Sequence, residues 1–327
     1  MKTILIAGAG QLGSRHLQGV KTSKNELDIW VYDLSRESLK VAEERYNQVE
    51  SENKTAHFVD SLEDVPNNID VLIVASSSKP RAIIVKQVLA SKKVKYMVLE
   101  KFLFTRMSEY EEIKQLIDEK GVKTWVNCPR RMWDGYSLIS QYIDSTKPVS
   151  FDYEDTDWGL CCNTVHYIDI FMLLSGSKSL SVNLDGVEPE VIDSKRAGYV
   201  ELHGEEVFTT DNGSELRLLS TMKAVEDAKV VIKNGSNTIL YYEGTGKVFI
   251  NGEEHDVKVH YQSGLSGILV DELLEKGNCR LATYAESSYY HKTYLSTIAP
   301  FINRIKGWTS DCLLYTSPSP RDKRQSR

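Results

Sequence analysis

Apolar positions along this chain fall into two regimes. Up to residue 127, short and nearly unbroken apolar runs (2–7, 28–33, 55–58, 70–75, 96–99 and 122–127) alternate with longer stretches whose apolar residues recur at helical spacing. Unbroken runs of this length suit strands buried on both faces, and their alternation with helices predicts a doubly wound parallel sheet. The helical stretches begin near Ser35, Pro80 and Ser108, and the last of these stops at Gly121. A serine before a helix caps its N–H groups, and a glycine after one permits the left-handed closing turn.

Beyond Pro129 the pattern changes. Residues 149–158 read as a strand and 164–174 as a helix with an apolar face of Ile170, Phe171, Leu173 and Leu174. From Tyr199 to about Val259, short alternating runs are separated by Asp-Asn-Gly, Asn-Gly and Gly-Thr-Gly turns. Such turns are hairpin signals and predict a mainly antiparallel sheet. Helices are expected near 265–276 and 285–306. The fold expected is thus α/β, with an N-terminal parallel Rossmann domain (1–128) and a C-terminal α+β domain with an open, mainly antiparallel sheet (129–311). The last helix, 285–306, is expected to pack back on the first domain.

The densest chemistry lies at the start. Gly8-Ala9-Gly10-Gln11-Leu12-Gly13 follows the first strand directly and opens a helix. In that context Gly8 permits the tight turn, Gly10 lets a pyrophosphate reach the backbone, and Gly13 lets helix and strand pack closely. The helix N-terminus then faces the phosphates. The second strand ends in Asp33, where a carboxylate accepts the ribose hydroxyls of an adenosine and repels a 2′-phosphate. NAD is therefore the expected cofactor. Arg36, three residues on, could pair with a 2′-phosphate and keeps NADP open. Ser76 and Ser77, at the end of the 70–75 strand, are expected to border the nicotinamide half.

Composition adds exclusions. With 327 residues, 41% hydrophobic and 26% charged, the chain is an ordinary soluble type long enough for two cores. No apolar run approaches the length of a membrane span, and the lysine at position 2 leads straight into a strand, so the expected location is the cytoplasm. The five cysteines show no zinc-site spacing, and no metal is expected. Net charge is −6, and the final residues, 317–327, hold four basic side chains and one acid, so the body is more acidic than the total. An acidic body argues against nucleic acid as a partner. The Ser/Pro/Arg run of 312–327 is similar to the translated read-through of a sequencing adapter and is expected to be non-native.

Glu100-Lys101 at a strand end, Arg130-Arg131 after the last parallel strand, His166-Tyr167-Ile168-Asp169 followed by Leu173-Leu174-Ser175-Gly176, and Thr283-Tyr284-Ala285-Glu286-Ser287 occur in that order behind the glycine turn. Together they resemble the Gfo/Idh/MocA family, the glucose-fructose oxidoreductase and inositol dehydrogenase group, over about residues 1–310. The resemblance implies a nicotinamide-dependent oxidoreductase acting on a carbinol or ketone of a sugar, cyclitol or nucleotide-sugar. It also implies Lys101 and Glu100 at the cofactor, Lys101 and His166 as the catalytic pair, and a homo-oligomer formed through the open sheet. Histidine can exchange a hydroxyl proton near neutral pH, and a desolvated lysine can polarise the oxygen. Asn163 or Asp169 is expected to orient the imidazole or bind substrate. Arg130 and Arg131 would hold an anionic group or brace the domain junction, and Trp158 with Tyr153 and Trp133 would stack on a polar ring. Two positions depart from the family's usual pattern: Phe102 stands where proline follows Glu-Lys, and Cys162 where an aspartate often precedes the histidine by four residues. These departures support an alternative, a catalytically silent dinucleotide-binding sensor or subunit of the same fold.

Overall fold

A computed structural model of the protein describes residues 1–194 and 199–308. The suspected non-native tail, 312–327, lies outside the described residues. The chain divides into two compact units: the first is Met1–Met132 with His260–Ser288, and the second runs from Trp133 to Val259 and resumes at Tyr289.

The first unit is built on β1 (Lys2–Ala7), α1 (Gln11–Lys21), β2 (Leu27–Tyr32), α2 (Arg36–Asn47), β3 (Lys54–Val59), β4 (Asn68–Val74), α3 (Ser78–Ser91), β5 (Lys93–Glu100), α4 (Met107–Lys120) and β6 (Lys123–Asn127). These six strands pair in parallel in the order β6-β5-β4-β1-β2-β3. Ile4, Leu5, Ile6, Val71, Leu72, Ile73, Met97, Val98 and Leu99 are fully buried, which is why their runs read as unbroken. Ser35 caps α2 by accepting from the Ser38 N–H at 3.2 Å, and Gly121 closes α4 in the left-handed conformation. The parallel Rossmann sheet is as the sequence predicts.

The second unit contains α5 (Asp134–Ile139), β7 (Val149–Thr156), α6 (Leu160–Ser175), β8 (Ser181–Val187), β9 (Ile192–Asp193), β10 (Val200–Glu201), β11 (Gly204–Thr209), β12 (Glu215–Thr221), β13 (Val230–Asn234), β14 (Asn237–Tyr242), β15 (Lys247–Ile250) and β16 (Glu253–Asp256). Eight of these strands form one sheet in the order β16-β15-β14-β13-β7-β12-β11-β8. Its pairs are antiparallel except β7 with β12, which run parallel in register from Ser150↔Glu215 to Thr156↔Thr221. Hairpin turns predict pairing between chain neighbours; the parallel pair joins strands far apart in sequence and leaves no local signal. The edge strand β8 also leaves little signal, because its apolar positions are few and, of Val182, Leu184 and Val187, only Val187 is buried. Alternation places Phe151, Phe208 and Tyr241 on the face covered by helices: Phe151 packs on Tyr136 and Phe171, and Tyr241 lies edge-on to Tyr136 at 5.2 Å.

Three further elements complete the described residues: α7 (Gln262–Lys276), β17 (Ala282–Thr283) and α8 (Tyr284–Lys306). In the first unit β17 pairs antiparallel with β6 as an edge strand, and α7 packs on α1. Helix α6 starts at Leu160, earlier than its apolar face suggests, because Gly159 adopts a left-handed φ of 78° that turns the chain into the helix.

Within the second unit a carboxylic acid lies at the core. Glu206 on β11 is fully buried and accepts from the Thr164 hydroxyl on α6 at 2.6 Å and the Tyr294 hydroxyl on α8 at 2.8 Å. Burial, reinforced by the nearby charge of Glu201, pushes this carboxyl up to about 8 despite those two hydrogen bonds. The unfolded chain releases the proton near the ordinary value of 4.5, so stability is expected to fall as pH rises from there to about 8 and then to level off. Glu206→Gln, which keeps the shape and cannot ionise, should lack this loss. Urea unfolding at about pH 5 and about pH 8.5 should show the variant gaining on the wild type at the higher pH; a constant difference between the two would contradict it.

Candidate functional site

Residues proposed to hold the cofactor gather at the carboxyl ends of β1, β2, β4 and β5 in the first unit. Gly8 has φ 105°, and a Cβ there would stand 2.7 Å from the Ser76 nitrogen. A Cβ on Gly13 would meet the Gly8 oxygen at 1.8 Å. Both glycines are therefore demanded by packing. Gly10 differs: a Cβ there would have nothing within 4 Å, so the space beside it is open. Gly10, Gln11 and Leu12 are exposed, and the first turn of α1 has neither a capping side chain nor an acidic residue. That leaves N–H groups and the positive end of the helix dipole turned toward an anion. The Gln11 side chain is steadied by Arg45, which donates to its Oε1 at 2.6 Å.

The Asp33 carboxylate bridges this loop to the start of α2. Its Oδ2 accepts from the Ala9 N–H at 2.7 Å and its Oδ1 from the Ser35 N–H at 2.9 Å. Arg36 is turned to Asp60, with Nε donating to Oδ2 at 2.8 Å. A dinucleotide thus fits: there is a glycine lip with open space, a helix N-terminus for the pyrophosphate, and a carboxylate where ribose hydroxyls would stand.

Glu100 ends β5 with its side chain turned inward, 3% exposed. Its Oε1 lies 2.7 Å from His16 Nε2 and accepts from Asn127 Nδ2 at 2.5 Å. Burial alone would raise this carboxyl, but the His16 contact, Asn127 and the charge of Arg81 together hold it below the usual range. His16 Nδ1 in turn lies 2.8 Å from the Ser266 hydroxyl on α7. Lys101 follows in a bend, half-buried, with its ammonium 5.8 Å from the centre of the Phe102 ring. Arg81, buried on α3, donates to the carbonyls of Ser76, Glu100, Phe102 and Leu103. Ser76 and Ser77 are half-buried, and Ser77 is the N-cap residue of α3.

Arg130 and Arg131 lie in a single 3-10 turn, Pro129–Met132. Arg131 is 7% exposed, with its guanidinium 3.7 Å from Glu286, whose other oxygen accepts from the Thr283 hydroxyl and N–H at 2.7 and 2.9 Å. It therefore braces the entry to α8. Arg130 is half-buried.

In the second unit α6 carries Asn163, His166 and Asp169 at spacings of three, which align them along one side of the helix. His166 is half-buried and Asp169 is 1% exposed. The Asn163 amide donates to the Trp158 carbonyl at 2.8 Å and so shapes the turn into the helix. Trp158 donates its indole N–H to the Leu219 carbonyl at 2.9 Å and lies edge-on to Tyr153 and Tyr167, which stack on each other at 4.5 Å. Tyr167 and Tyr136 both donate to the Glu243 carboxylate, at 3.3 and 2.6 Å.

His16, Arg81 and Glu243 were not singled out from the sequence. Their residue types carry no motif, and their placement depends on contacts between elements distant in the chain. Among the described residues no group of three or more His, Cys, Asp or Glu could hold a metal ion, and no helix is long and apolar enough to cross a membrane.

Comparison with known proteins accords with this geometry. Residues 2–128 match the model of the oxidoreductase family GFO/IDH/MocA, NAD-binding Rossmann fold. Among curated proteins none matches the chain in sequence. Of solved structures, UDP-N-acetylglucosamine 3-dehydrogenase from Acidithiobacillus ferrooxidans superposes with a TM-score of 0.69 at 11% identity, over 93% of this chain and 99% of that one. An oxidoreductase from Agrobacterium radiobacter in complex with NAD⁺, L-tartaric acid and magnesium gives 0.68 at 12% identity, over 94% and 99%. The WlbA dehydrogenase from Bordetella pertussis, in complex with NADH and UDP-GlcNAcA, gives 0.65 at 16% identity, over 92% and 96%. At these identities the likeness establishes a shared fold. Residues 2–128 are thus similar to the NAD-binding Rossmann domain of the Gfo/Idh/MocA oxidoreductase family, and the rest of the chain shares its fold with solved oxidoreductases.

Proposed function

We propose that this protein is an NAD-dependent dehydrogenase or reductase acting on a CH–OH or keto carbon of a sugar, cyclitol or nucleotide-linked sugar. The observation that carries the reading is the open space beside Gly10, flanked by the uncapped start of α1 and by Asp33. NAD⁺ bound there supplies the hydride acceptor for the oxidation. Asp33 favours NAD over NADP, and Arg36 is engaged by Asp60. Two of the solved relatives bear on the substrate: one is named for UDP-N-acetylglucosamine and another was crystallised with UDP-GlcNAcA.

The chain's own residues take the remaining roles. His166 accepts the proton of the substrate hydroxyl, and Asp169, one turn along α6, orients its imidazole. Lys101, directly after β5 in the first unit, takes its role at the nicotinamide. Arg130 is the candidate for an anionic group of the substrate, whereas Arg131 already serves Glu286. The side of the large sheet opposite its helices bears the half-exposed Val207, Leu219, Val231, Leu240 and Phe249, and a second copy of the chain would pack there.

A second reading, a silent dinucleotide sensor or subunit, is favoured by one observation. Cys162, half-buried on α6, stands where a titratable carboxylate would assist the histidine.

Gly10→Ala should fold normally, because nothing in the protein opposes the added methyl, yet NADH affinity by fluorescence titration should fall by about tenfold or more. Unchanged affinity would remove the cofactor site from this loop. NADH should bind more tightly than NADPH, and Asp33→Ser should narrow that gap. Lys101→Met, assayed by nicotinamide absorbance against sugars, cyclitols and nucleotide-sugars, should lose about a hundredfold or more in turnover with NADH binding retained. Tight NADH binding by the wild type with no turnover on any compound would favour the sensor.

A further inference from the structure

Four backbone carbonyls from two loops converge on one buried side chain. Ser76 lies just past β4, and Glu100, Phe102 and Leu103 surround the bend after β5. Buried carbonyls outside a sheet or helix require donors, and here the donors are the terminal nitrogens of Arg81, which is 1% exposed. Nη1 donates to the Glu100 oxygen at 2.7 Å, to the Leu103 oxygen at 2.8 Å and to that of Phe102, and Nη2 donates to Ser76. The planar guanidinium spreads its donors over a fan that a lysine ammonium cannot reproduce. Its charge is offset by the buried Glu100 carboxylate, which His16 and Asn127 hold from the other side.

Lys101 sits in the middle of this arrangement. The residue before it is pinned at both carbonyl and side chain, and the two residues after it are pinned at their carbonyls. No proline stiffens the position after Lys101, where Phe102 stands. We propose that Arg81 is the positioning residue for Lys101, locking the Glu100–Leu103 bend to the Ser76 loop so that the amine projects from a fixed backbone. This rests on the reading of Lys101 as a catalytic group. A lysine aimed by its backbone loses function through small displacements, so Arg81 should act on turnover far more than on cofactor affinity.

Arg81→Lys and Arg81→Gln are the test variants, the first keeping charge and the second keeping only part of the donor set. Both should show native circular dichroism and NADH affinity within about threefold of wild type, because the glycine lip and Asp33 make no contact with Arg81 through these bonds. Amide exchange by mass spectrometry should rise by about tenfold or more in peptides covering 76–79 and 100–105, with 2–7 unchanged. Turnover on any substrate found in the screen above should fall by about a hundredfold with KM little altered. Unchanged exchange at 100–105 in folded Arg81→Lys protein would overturn the brace, as would wild-type turnover in both variants. Lys101→Met separates the two ideas: full activity there would overturn the catalytic reading of Lys101, whatever the exchange data say of Arg81.

Discussion

The seat of α1 allows no side chain at three points, and the nucleotide cradle depends on that. At its start, Gly13 lies against the Gly8 carbonyl, where a Cβ would intrude to 1.8 Å. Further along, a Cβ on Gly19 would meet the Ser266 side chain at 2.8 Å, and one on Gly267 of α7 would meet the Gly19 oxygen at 2.6 Å. Helix α1 is thus held between β1 and α7 by backbone-to-backbone contact. Such seats fix a helix axis more tightly than interlocking side chains do, because no rotamer can relax the contact. The orientation of its N-terminal N–H groups follows from that axis.

Between the glycine contacts, His16 carries polar connectivity through the same helix. One ring nitrogen meets Ser266 of α7 and the other meets Glu100 of β5. A buried carboxylate without such company would be costly; with His16, Asn127 and Arg81 around it, Glu100 stays ionised at the sheet's carboxyl edge. The first unit therefore recruits a segment from far along the chain, 260–288, to complete the polar shell of its own parallel sheet.

The second unit solves a different problem, covering one face of a wide sheet. It does so with aromatics: Phe151 meets Tyr136, Tyr167 and Phe171, and Tyr153 stacks on Tyr167 beside Trp158. Their hydroxyls converge in part on Glu243, in the turn after β14. Tyr153 and Trp158, legible from sequence as candidates to stack on a sugar, are thereby tied to the sheet and to α6. Their packing sets the start of the helix that carries His166.

The sequence by itself determined the parallel sheet, the glycine turn, the terminal acid Asp33 and the hairpin-rich second half. Each is a local matter: buried strands must be apolar throughout, a tight turn needs glycine, and hairpins need their turn residues. Gly8, Gly13 and Asp33 were readable because their spacing along one strand-turn-helix-strand unit is fixed by covalent geometry. The tertiary structure alone decided the parallel β7–β12 pair, the recruitment of α7 to the first unit, and the partners of Arg81, His16 and Glu206. It also showed that Glu100 and Arg131 spend their charges on His16 with Asn127 and on Glu286. An arginine, a histidine or a glutamate in a sequence says nothing of whether it will meet water or a buried carbonyl. That depends on which distant segments come to lie beside it, and only packing sets this.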